Sequence, residues 1–378
     1  MDSEELSEYV DSVLLANDKY MSVDAKRRIK KNIMNRYTGY DILSELLEDE
    51  EISDIMVNGK EDIFFEKHGV MHRYGEFFSD ISKLENIIQK FASWHNRIVN
   101  ESSPIADIRF EDGSRVNVVL PPIAINGPIV TIRKFPKYDY TLDKLVEIGT
   151  VTQEAVDVLK KIVSAKYNIF IFGGTGSGKT TFLNALSSYI PSHERVITIE
   201  DSAELKIQNV SNLVRLETRN AGFDGNNEVS MRELIRSSLR MRPDRIIVGE
   251  VRGNEVMDML QAMSTGMDGS ISTGHANSVK GLISRLETLI LMSGDIPEAA
   301  ARRQIGNGIE ILIHIGRMPD GSRKVLEISE IMYEDNDFVI NCLFEYSYAE
   351  KDTGVLLRTA NKLLRTDKIM RYGDGEEI

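Results

Sequence analysis

The chain has 378 residues, and at about 150 residues per domain this length predicts two or three domains. Hydrophobic residues make up 42% and charged residues 28% of the sequence, as in ordinary globular proteins. The formal net charge of −13 repels a phosphate backbone, so the composition argues against nucleic acid as a partner. Lys26–Lys31 is the densest basic run, and a solvated helix face is its simpler interpretation. The single cysteine, Cys342, excludes an internal disulfide and a multi-cysteine zinc site.

We expect neither a targeting signal nor a membrane-spanning segment. Met1–Glu5 is acidic where a secretory signal peptide would be basic and then apolar. Apolar runs such as Ile246–Val248 and Leu289–Met292 are far shorter than the ~20 residues of a spanning helix. The expectation is therefore a cytoplasmic protein that reaches the inner face of a membrane only through partners.

The N-terminal part of the chain divides into a helical segment and an α+β domain. Leu6, Val10 and Leu14 are spaced as on one face of a helix, which predicts a helical lead-in over residues 1–40. Residues 41–140 change to short strands and turns. Within them Asn58-Gly59 and Asp112-Gly113 predict two hairpins, and residues 80–95 predict an amphipathic helix. Pro136 and Gly149 indicate a linker within residues 134–152.

Beyond the linker, strands alternate with helices, which is typical of a parallel α/β sheet. Strands are predicted at 168–172, 195–199, 245–248 and 270–273, and helices at 179–190, 230–241, 254–264 and 278–291. Strand-like stretches follow at 311–315 and 325–328. The domain boundaries are thus 150–345 for an α/β domain and 346–378 for a polar C-terminal tail without a predicted element.

A glycine-rich segment follows the first strand of this domain. Residues 173–180 read Gly-Gly-Thr-Gly-Ser-Gly-Lys-Thr and fit the pattern G-x-x-x-x-G-K-[ST] between an apolar strand and a helix. The glycines let backbone N–H groups turn inward to a β-phosphate, and the helix N-terminus adds partial positive charge. Lys179 would reach the β- and γ-phosphates, and the Thr180 hydroxyl would bind Mg²⁺. The sequence therefore predicts ATP and Mg²⁺, with Gly174, Thr175, Gly176, Ser177, Gly178, Lys179, Thr180 and Thr181 binding the nucleotide.

Carboxylates follow the next two strands of the sheet. An ATPase needs such groups to hold Mg²⁺ and to orient the attacking water. Glu200, Asp201 and Glu204 follow one strand and Glu250 the other, at the edge where a parallel sheet binds ligands. Gly249 stands where a Walker B strand usually ends in Asp, so that role shifts either to Glu250 or to the Glu200–Asp201 pair. Glu250, Glu200 and Glu204 are candidate catalytic residues, and Thr180, Asp201 and Glu250 are candidate metal ligands.

Three further residues are candidates for the site. One is a histidine at the edge of the sheet, and two are arginines before the linker. His275 ends the fourth strand and is a candidate sensor of the γ-phosphate. Arg115 and Arg133 lie within residues 41–140, and on residue type alone they are solvated strand residues. A late-supplied arginine nevertheless benefits phosphoryl transfer.

Four motifs occur in an order that resembles the type II/type IV secretion ATPases. They are the Walker A loop, an aspartate box at 199–205, a Walker B strand without the usual Asp at 241–252, and a histidine box at 272–278. Residues 53–59, 112–117, 131–135 and 215–219 further resemble the branch that serves Tad/Flp-type pili. The likeness covers about residues 50–330.

The resemblance implies a RecA-like motor domain behind a smaller N-terminal α+β domain, with six copies in a ring. It implies that Glu250 positions water and that the aspartate box contributes to magnesium and water binding. It also implies that arginines of the N-terminal domain approach the phosphates, which makes Arg115 and Arg133 catalytic candidates. The predicted function is a cytoplasmic hexameric ATPase motor that drives pilus assembly or protein secretion through an inner-membrane platform protein.

Two alternatives stay open at the level of sequence. One is a RecA-like DNA translocase or packaging ATPase, against which the charge of −13 and the lack of interleaved aromatic and basic residues argue. The other is a non-motor P-loop protein, either a kinase or a transporter ATPase subunit. Residues 291–295 match the LSGGQ-like stretch of such a transporter subunit poorly.

Overall fold

The computed structural model describes residues 3–16, 21–37, 39–94, 97–135, 140–219, 228–294, 296–348 and 354–372. Contacts within the chain divide it into two units, Met1–Lys137 and Tyr138–Ile378. This division falls within the predicted linker over 134–152, of which residues 136–139 lie outside the described residues. Within the same linker stretch the structure has a short helix, α5 (Leu142–Glu147), that the sequence pattern does not predict.

The first unit begins with two helices, as the apolar spacing predicts. α1 (Ser3–Ala16) and α2 (Val23–Tyr37) pack against one another through their apolar faces. Leu6, Val10 and Leu14 of α1 are buried there, against Ile33 and Met34 of α2. Burial of this stripe stabilises the helix pair, although apolar side chains such as Leu15 and Val23 stay exposed.

An antiparallel sheet forms the rest of the first unit. Its elements are α3 (Leu43–Glu48), β1 (Ile52–Asn58), β2 (Asp62–Lys67), β3 (Val70–Arg73), α4 (Ile81–Trp94), β4 (Ile105–Arg109), β5 (Arg115–Val119) and β6 (Ile129–Arg133). The strand order is β3-β2-β1-β6-β5-β4, and both predicted hairpins, β1–β2 and β4–β5, are confirmed. α4 buries Leu84, Ile88 and Phe91 in the core of this sheet, as its periodicity predicts. α3 and β3 were not predicted.

A nine-stranded sheet forms the second unit. Its helices are α5, α6 (Gln153–Ser164), α7 (Lys179–Ser187), α8 (Met231–Ser238), α9 (Glu255–Ser264), α10 (Val279–Met292), α11 (Glu298–Gly308) and α12 (Asp367–Tyr372). Its strands are β7 (Ile169–Phe172), β8 (Arg195–Glu200), β9 (Asn212–Glu217), β10 (Arg245–Val248), β11 (Ile271–Gly274), β12 (Ile311–Arg317), β13 (Arg323–Glu334), β14 (Asp337–Tyr348) and β15 (Gly354–Arg358). They lie in the order β15-β14-β13-β12-β7-β11-β10-β8-β9. The strands from β12 to β9 are parallel, and β13 to β15 extend the sheet with antiparallel pairs.

The central strands are apolar because helices cover both faces of the sheet. In β7 the side chains of Ile169 and Ile171 enter the core shared with α6 and α7, whereas Phe170 and Phe172 enter the core shared with α9 and α10. Parallel strands covered on both faces read as continuous apolar runs rather than as alternating ones. The four predicted parallel strands correspond to β7, β8, β10 and β11.

The segment 346–378, expected to be a polar tail, differs from that expectation in its described residues. It contains the end of β14, all of β15 and α12, and it buries Leu356, Leu363 and Ile369 in the core of the second unit. The pattern hides β15, because the exposed Val355 and Leu357 flank the buried Leu356, so apolar residues do not alternate with polar ones in this short strand. Across the described part of the chain, none of the helices combines the length and apolarity that crossing a bilayer requires.

Candidate functional site

The glycine-rich loop joins β7 to α7 at the carboxyl edge of the parallel strands. Gly176 and Gly178 have φ of +68° and +94°, a backbone region that residues with side chains rarely adopt. At Gly173 a Cβ atom would lie 2.0 Å from the carbonyl oxygen of Ile315. The shape of the loop therefore requires glycine at these three positions. Thr180 and Thr181 lie in the first turn of α7, directly after the loop.

Lys179 is buried beneath the loop that precedes it. Its Nζ donates to the carbonyl oxygens of Gly173 at 3.2 Å and Gly174 at 3.0 Å, and it lies 3.4 Å from Nδ1 of His275. A phosphate oxygen carries negative charge, so it attracts the ammonium more strongly than a neutral carbonyl oxygen does. A phosphate anion can therefore displace the two carbonyl groups from the ammonium.

His275 lies between Lys179 and Glu250. Its Nε2 is 2.5 Å from Oε1 of Glu250. Burial is the main factor that lowers the pKa of His275, the positive charge of Lys179 adds to it, and Glu250 opposes both. A neutral imidazole has one donor and one acceptor, and a lysine ammonium can only donate. Nδ1 is therefore assigned as the acceptor from Lys179, which places the proton on Nε2. Oε1 of Glu250 is in close contact with Nε2 but accepts no hydrogen bond in this arrangement.

The second oxygen of Glu250 contacts Arg252. Nη2 of Arg252 is 2.6 Å from Oε2 of Glu250, and Nη1 is 3.9 Å from Oδ2 of Asp201. The hydrogen bond to Glu250 is the main factor that raises the pKa of Arg252, and the charges of Asp201 and Glu204 contribute further. Carboxylates from the ends of β8 and β10 thus lie around one cation. Sequence reasoning assigned no role to Arg252, although its position two residues after Glu250 could have indicated an ion pair.

Glu200 fills the space that the usual Walker B aspartate would occupy. A Cβ at Gly249 would lie 2.9 Å from Cγ of Glu200, so the glycine makes room for this buried side chain. Oε2 of Glu200 accepts hydrogen bonds from the backbone N–H groups of Glu204 at 2.7 Å and Leu205 at 2.9 Å. Burial raises the pKa of Glu200 to about 7, although these two hydrogen bonds act in the opposite direction.

The two candidate arginines of the first unit are direct neighbours. Arg115 on β5 pairs in register with Arg133 on β6 and, on its other side, with Arg109 on β4. Residues directly opposite one another in an antiparallel sheet share a face, so the three arginines form a row on one face of this sheet. Sequence reasoning missed Arg109. The hairpin centred on Asp112-Gly113 could have identified it, because its register sets Arg109 opposite Arg115.

The loop, the order of the strands and the acidic edge together define a RecA-like P-loop ATPase. Residues 37–314 match the family described as "Type II/IV secretion system protein". The match covers well over half of the chain, which therefore belongs to this family of secretion ATPases.

Comparisons with individual proteins agree with this assignment. A protein named "Putative conjugal transfer protein" from Mycobacterium tuberculosis is 33% identical over 303 residues, which are 79% of this chain and 86% of the relative. The conjugal transfer protein TrbB of Rhizobium radiobacter is 31% identical over 325 residues, 83% of this chain and 94% of the relative. The X-ray structure of the Legionella pneumophila ATPase DotB shares the fold, with a TM-score of 0.56 and 22% identity over 78% of this chain and 80% of that one. Membership of the Tad/Flp branch stays a prediction.

Proposed function

We propose that the protein hydrolyses ATP to ADP and phosphate, and that it works as a hexameric motor at the cytoplasmic face of the inner membrane. There it would drive pilus assembly or protein secretion through a membrane platform protein. Membership of the secretion family supports this role, as do relatives that carry the names of conjugal transfer proteins. The observation that carries the ATPase mechanism is the line of contacts from Lys179 through His275 to Glu250.

In this proposal the loop and α7 bind the phosphates. The N–H groups of residues 174–181 surround the β-phosphate, and Lys179 exchanges its carbonyl partners for phosphate oxygens. His275 contacts both Lys179 and Glu250, so it responds when the lysine moves towards a γ-phosphate. A movement of His275 would in turn move the carboxylate of Glu250, which lies on its other side.

Glu250 is proposed to orient the attacking water. Oε2 of its carboxylate accepts a hydrogen bond from Arg252, whereas Oε1 only lies close to His275 and accepts no hydrogen bond, so it can still take one from a water. Glu200, by contrast, is buried and accepts two backbone hydrogen bonds, so its proposed role is to fix the turn that presents Asp201 and Glu204. Charge on Glu250 is what makes it suited to align a water and accept its proton.

The donors at this edge suit Mg²⁺. Glu250 and Asp201 both face the guanidinium of Arg252, so their oxygens are already arranged around one positive charge. Mg²⁺ prefers oxygen ligands, and it usually takes one or two carboxylates together with substrate phosphates. Thr180, Asp201 and Glu250 would hold it, and the ion would neutralise charge on the β- and γ-phosphates.

Arg115 and Arg133 are proposed to supply further positive charge to the phosphates. Their in-register pairing sets two guanidinium groups on one face of the sheet, where both can approach the same anion. Such a contribution from the first unit is compatible with a ring in which sites are completed during assembly.

Two substitutions test the ATPase mechanism. Lys179→Ala is expected to abolish ATP turnover without unfolding the protein. Glu250→Gln is expected to bind ATP normally and to hydrolyse it at least ~100-fold more slowly, because the amide cannot take a proton from water. Phosphate release and binding of a fluorescent ATP analogue are measured separately, with the exposed helix residue Glu298, as Glu298→Gln, for a control.

Three results would contradict the proposal. Wild-type turnover in Lys179→Ala would remove the site assignment, and loss of ATP binding in Glu250→Gln would make Glu250 a structural residue. Transfer of phosphate to a small acceptor would indicate a kinase. Activity that DNA stimulates with a steep dependence on salt would indicate the DNA translocase instead.

A further inference from the structure

The hairpin formed by β12 and β13 lies against the phosphate loop, and almost all of it is outside the segment that matches the family. The match ends at residue 314, whereas the contacts with the loop come from Ile315, Arg317 and Arg323. No motif in the sequence connects this hairpin with nucleotide binding. The structure does so through contacts at the start and in the middle of the loop.

The first contact is between backbone groups. The carbonyl of Ile315 on β12 lies so close to Gly173 that a Cβ there would be 2.0 Å from its oxygen. β12 is itself fixed, because it pairs with β7 on one side and with β13 on the other. The start of the loop is therefore packed on a strand that has no freedom to move away from it.

The second contact is a bridge made by the side chain of Arg323. Its Nε donates to the carbonyl oxygen of Gly176 at 3.3 Å, and its Nη1 donates to the carbonyl oxygen of Gly321 at 2.9 Å. Its stem runs beside Gly178, where an added Cβ would lie 3.6 Å from Cγ of the arginine. One guanidinium thus links the middle of the phosphate loop to the turn of the hairpin.

This bridge acts on the part of the loop that would face a phosphate. The carbonyl of Gly176 and the N–H of Ser177 belong to one planar trans peptide group, so they point in opposite directions. Holding the carbonyl outward holds the N–H inward. In this structure the Ser177 N–H makes only a long bond of 3.4 Å to the carbonyl oxygen of Gly174, a weak partner that a phosphate oxygen can replace.

We propose that Arg323 is a positioning residue for nucleotide binding, which acts by fixing the Gly176–Ser177 peptide in the orientation that presents its N–H to a phosphate. The inference rests on the proposed ATPase function and adds to it a residue outside the family motifs. It requires arginine, because bridging two carbonyl groups with Nε and Nη1 uses the rigid fork of the guanidinium. A lysine ammonium has the charge but lacks that geometry.

The test compares Arg323→Gln and Arg323→Lys with the wild-type protein in the full chain. The control is Arg303→Gln, which removes an exposed arginine from α11. Dissociation constants for ATP and ADP, thermal unfolding without nucleotide, and amide exchange of residues 173–178 are measured for each. We expect Arg323→Gln to weaken the binding of both nucleotides by about tenfold, the value of one lost hydrogen bond to a charged group. We expect Arg323→Lys to bind nearly as weakly, exchange in the loop to be faster in both, and the thermal midpoint to be unchanged.

Each alternative outcome overturns the inference in a recognisable way. Wild-type affinity in Arg323→Gln would mean that the bridge has no effect on binding. Full recovery in Arg323→Lys would mean that charge rather than bridging matters. A lower thermal midpoint in proportion to the lost affinity would make Arg323 a residue of general stability. If the wild-type protein itself bound neither ATP nor ADP, the proposed function would fail first, and this result is distinct from the other three.

Discussion

The two glutamates that end neighbouring strands differ because of their packing. Glu250 has both oxygens on charged or polar side chains, whereas Glu200 is 3% exposed and has one oxygen on backbone N–H groups. Burial penalises the ionised form, and two neutral donors compensate for only part of that penalty. The pKa of Glu200 is therefore raised to about 7.

This shift predicts a dependence of stability on pH. Between the unfolded pKa near 4.5 and the folded pKa near 7, native Glu200 keeps a proton that the unfolded chain has lost. Protonation of Glu200 therefore contributes up to about 3 kcal/mol to the free energy of unfolding. This contribution is complete below pH 4.5 and is lost as the pH rises through about 7. Urea unfolding of the nucleotide-free protein from pH 5 to pH 8 measures it. Glu200→Gln should remove this part of the slope, and an equal slope in both proteins would contradict the assignment.

Local motifs made the phosphate loop and its neighbours predictable at the residue scale. Lys179, Glu250 and His275 each end or begin an element, so chain position alone indicated that they would meet. The choice between Glu200 and Glu250 could not be made in this way, because it depends on the space left by Gly249. Arg323 was not predictable either, since it reaches the loop only through the pairing of β12 with β13.

At the scale of elements, the strands that are buried on both faces could be predicted from the sequence, whereas the strands near the edges of the sheet could not. β7 and β10 are buried at every position, so they appear as short, unbroken apolar runs. β9 lies at an edge of the sheet and is polar or charged at half of its positions, so its pattern resembles a loop. β14 and β15 are hard to recognise for another reason, because exposed positions such as Val339 and Leu357 are apolar, so apolar and polar residues do not alternate along them.

One buried carboxylate ties the C-terminal segment to the sheet. Glu330 on β13 is fully buried, and its Oε1 accepts from the N–H of Arg365 at 2.8 Å. Its Oε2 accepts from the N–H of Leu364 at 2.9 Å and from Nδ2 of Asn341 at 3.0 Å. Since hydrogen bonds to charged groups contribute about 1.5–3 kcal/mol each, this residue fixes the path between β15 and α12.

Glu330→Gln is predicted to destabilise the second unit by about 2–3 kcal/mol. The amide has one acceptor oxygen, so its NH₂ group would face a backbone donor and leave that donor buried without a partner. Urea unfolding measures the loss, and faster exchange of the amides of Leu364 and Arg365 would locate it. Glu334→Gln, at an exposed position of the same strand, is the matched control. Equal unfolding free energies for the two variants would refute the role assigned to Glu330.

At the scale of the whole molecule, the chain as a whole is acidic, whereas the candidate site is rich in cations. The chain carries a net charge of −13, yet Lys179, Arg252 and Arg323 gather near the loop and its acidic edge, and the first unit has its own row of arginines. A net negative charge disfavours polyanions in general, whereas the cations beside the loop attract a polyphosphate locally.

If the sites are completed between subunits, ATP hydrolysis per protomer should depend on protein concentration. We expect the specific rate to rise cooperatively and then to reach a plateau once rings are formed, because a dilute protomer lacks cations that a neighbour supplies. Rates are measured over a dilution series, with mass determined at each concentration. Arg115→Gln and Arg133→Gln should lower the plateau, whereas Arg303→Gln should not. A rate per protomer that stays constant while the mass is monomeric would mean that each site is self-sufficient. The hexameric motor would then be abandoned, and nucleotide hydrolysis by the second unit would remain.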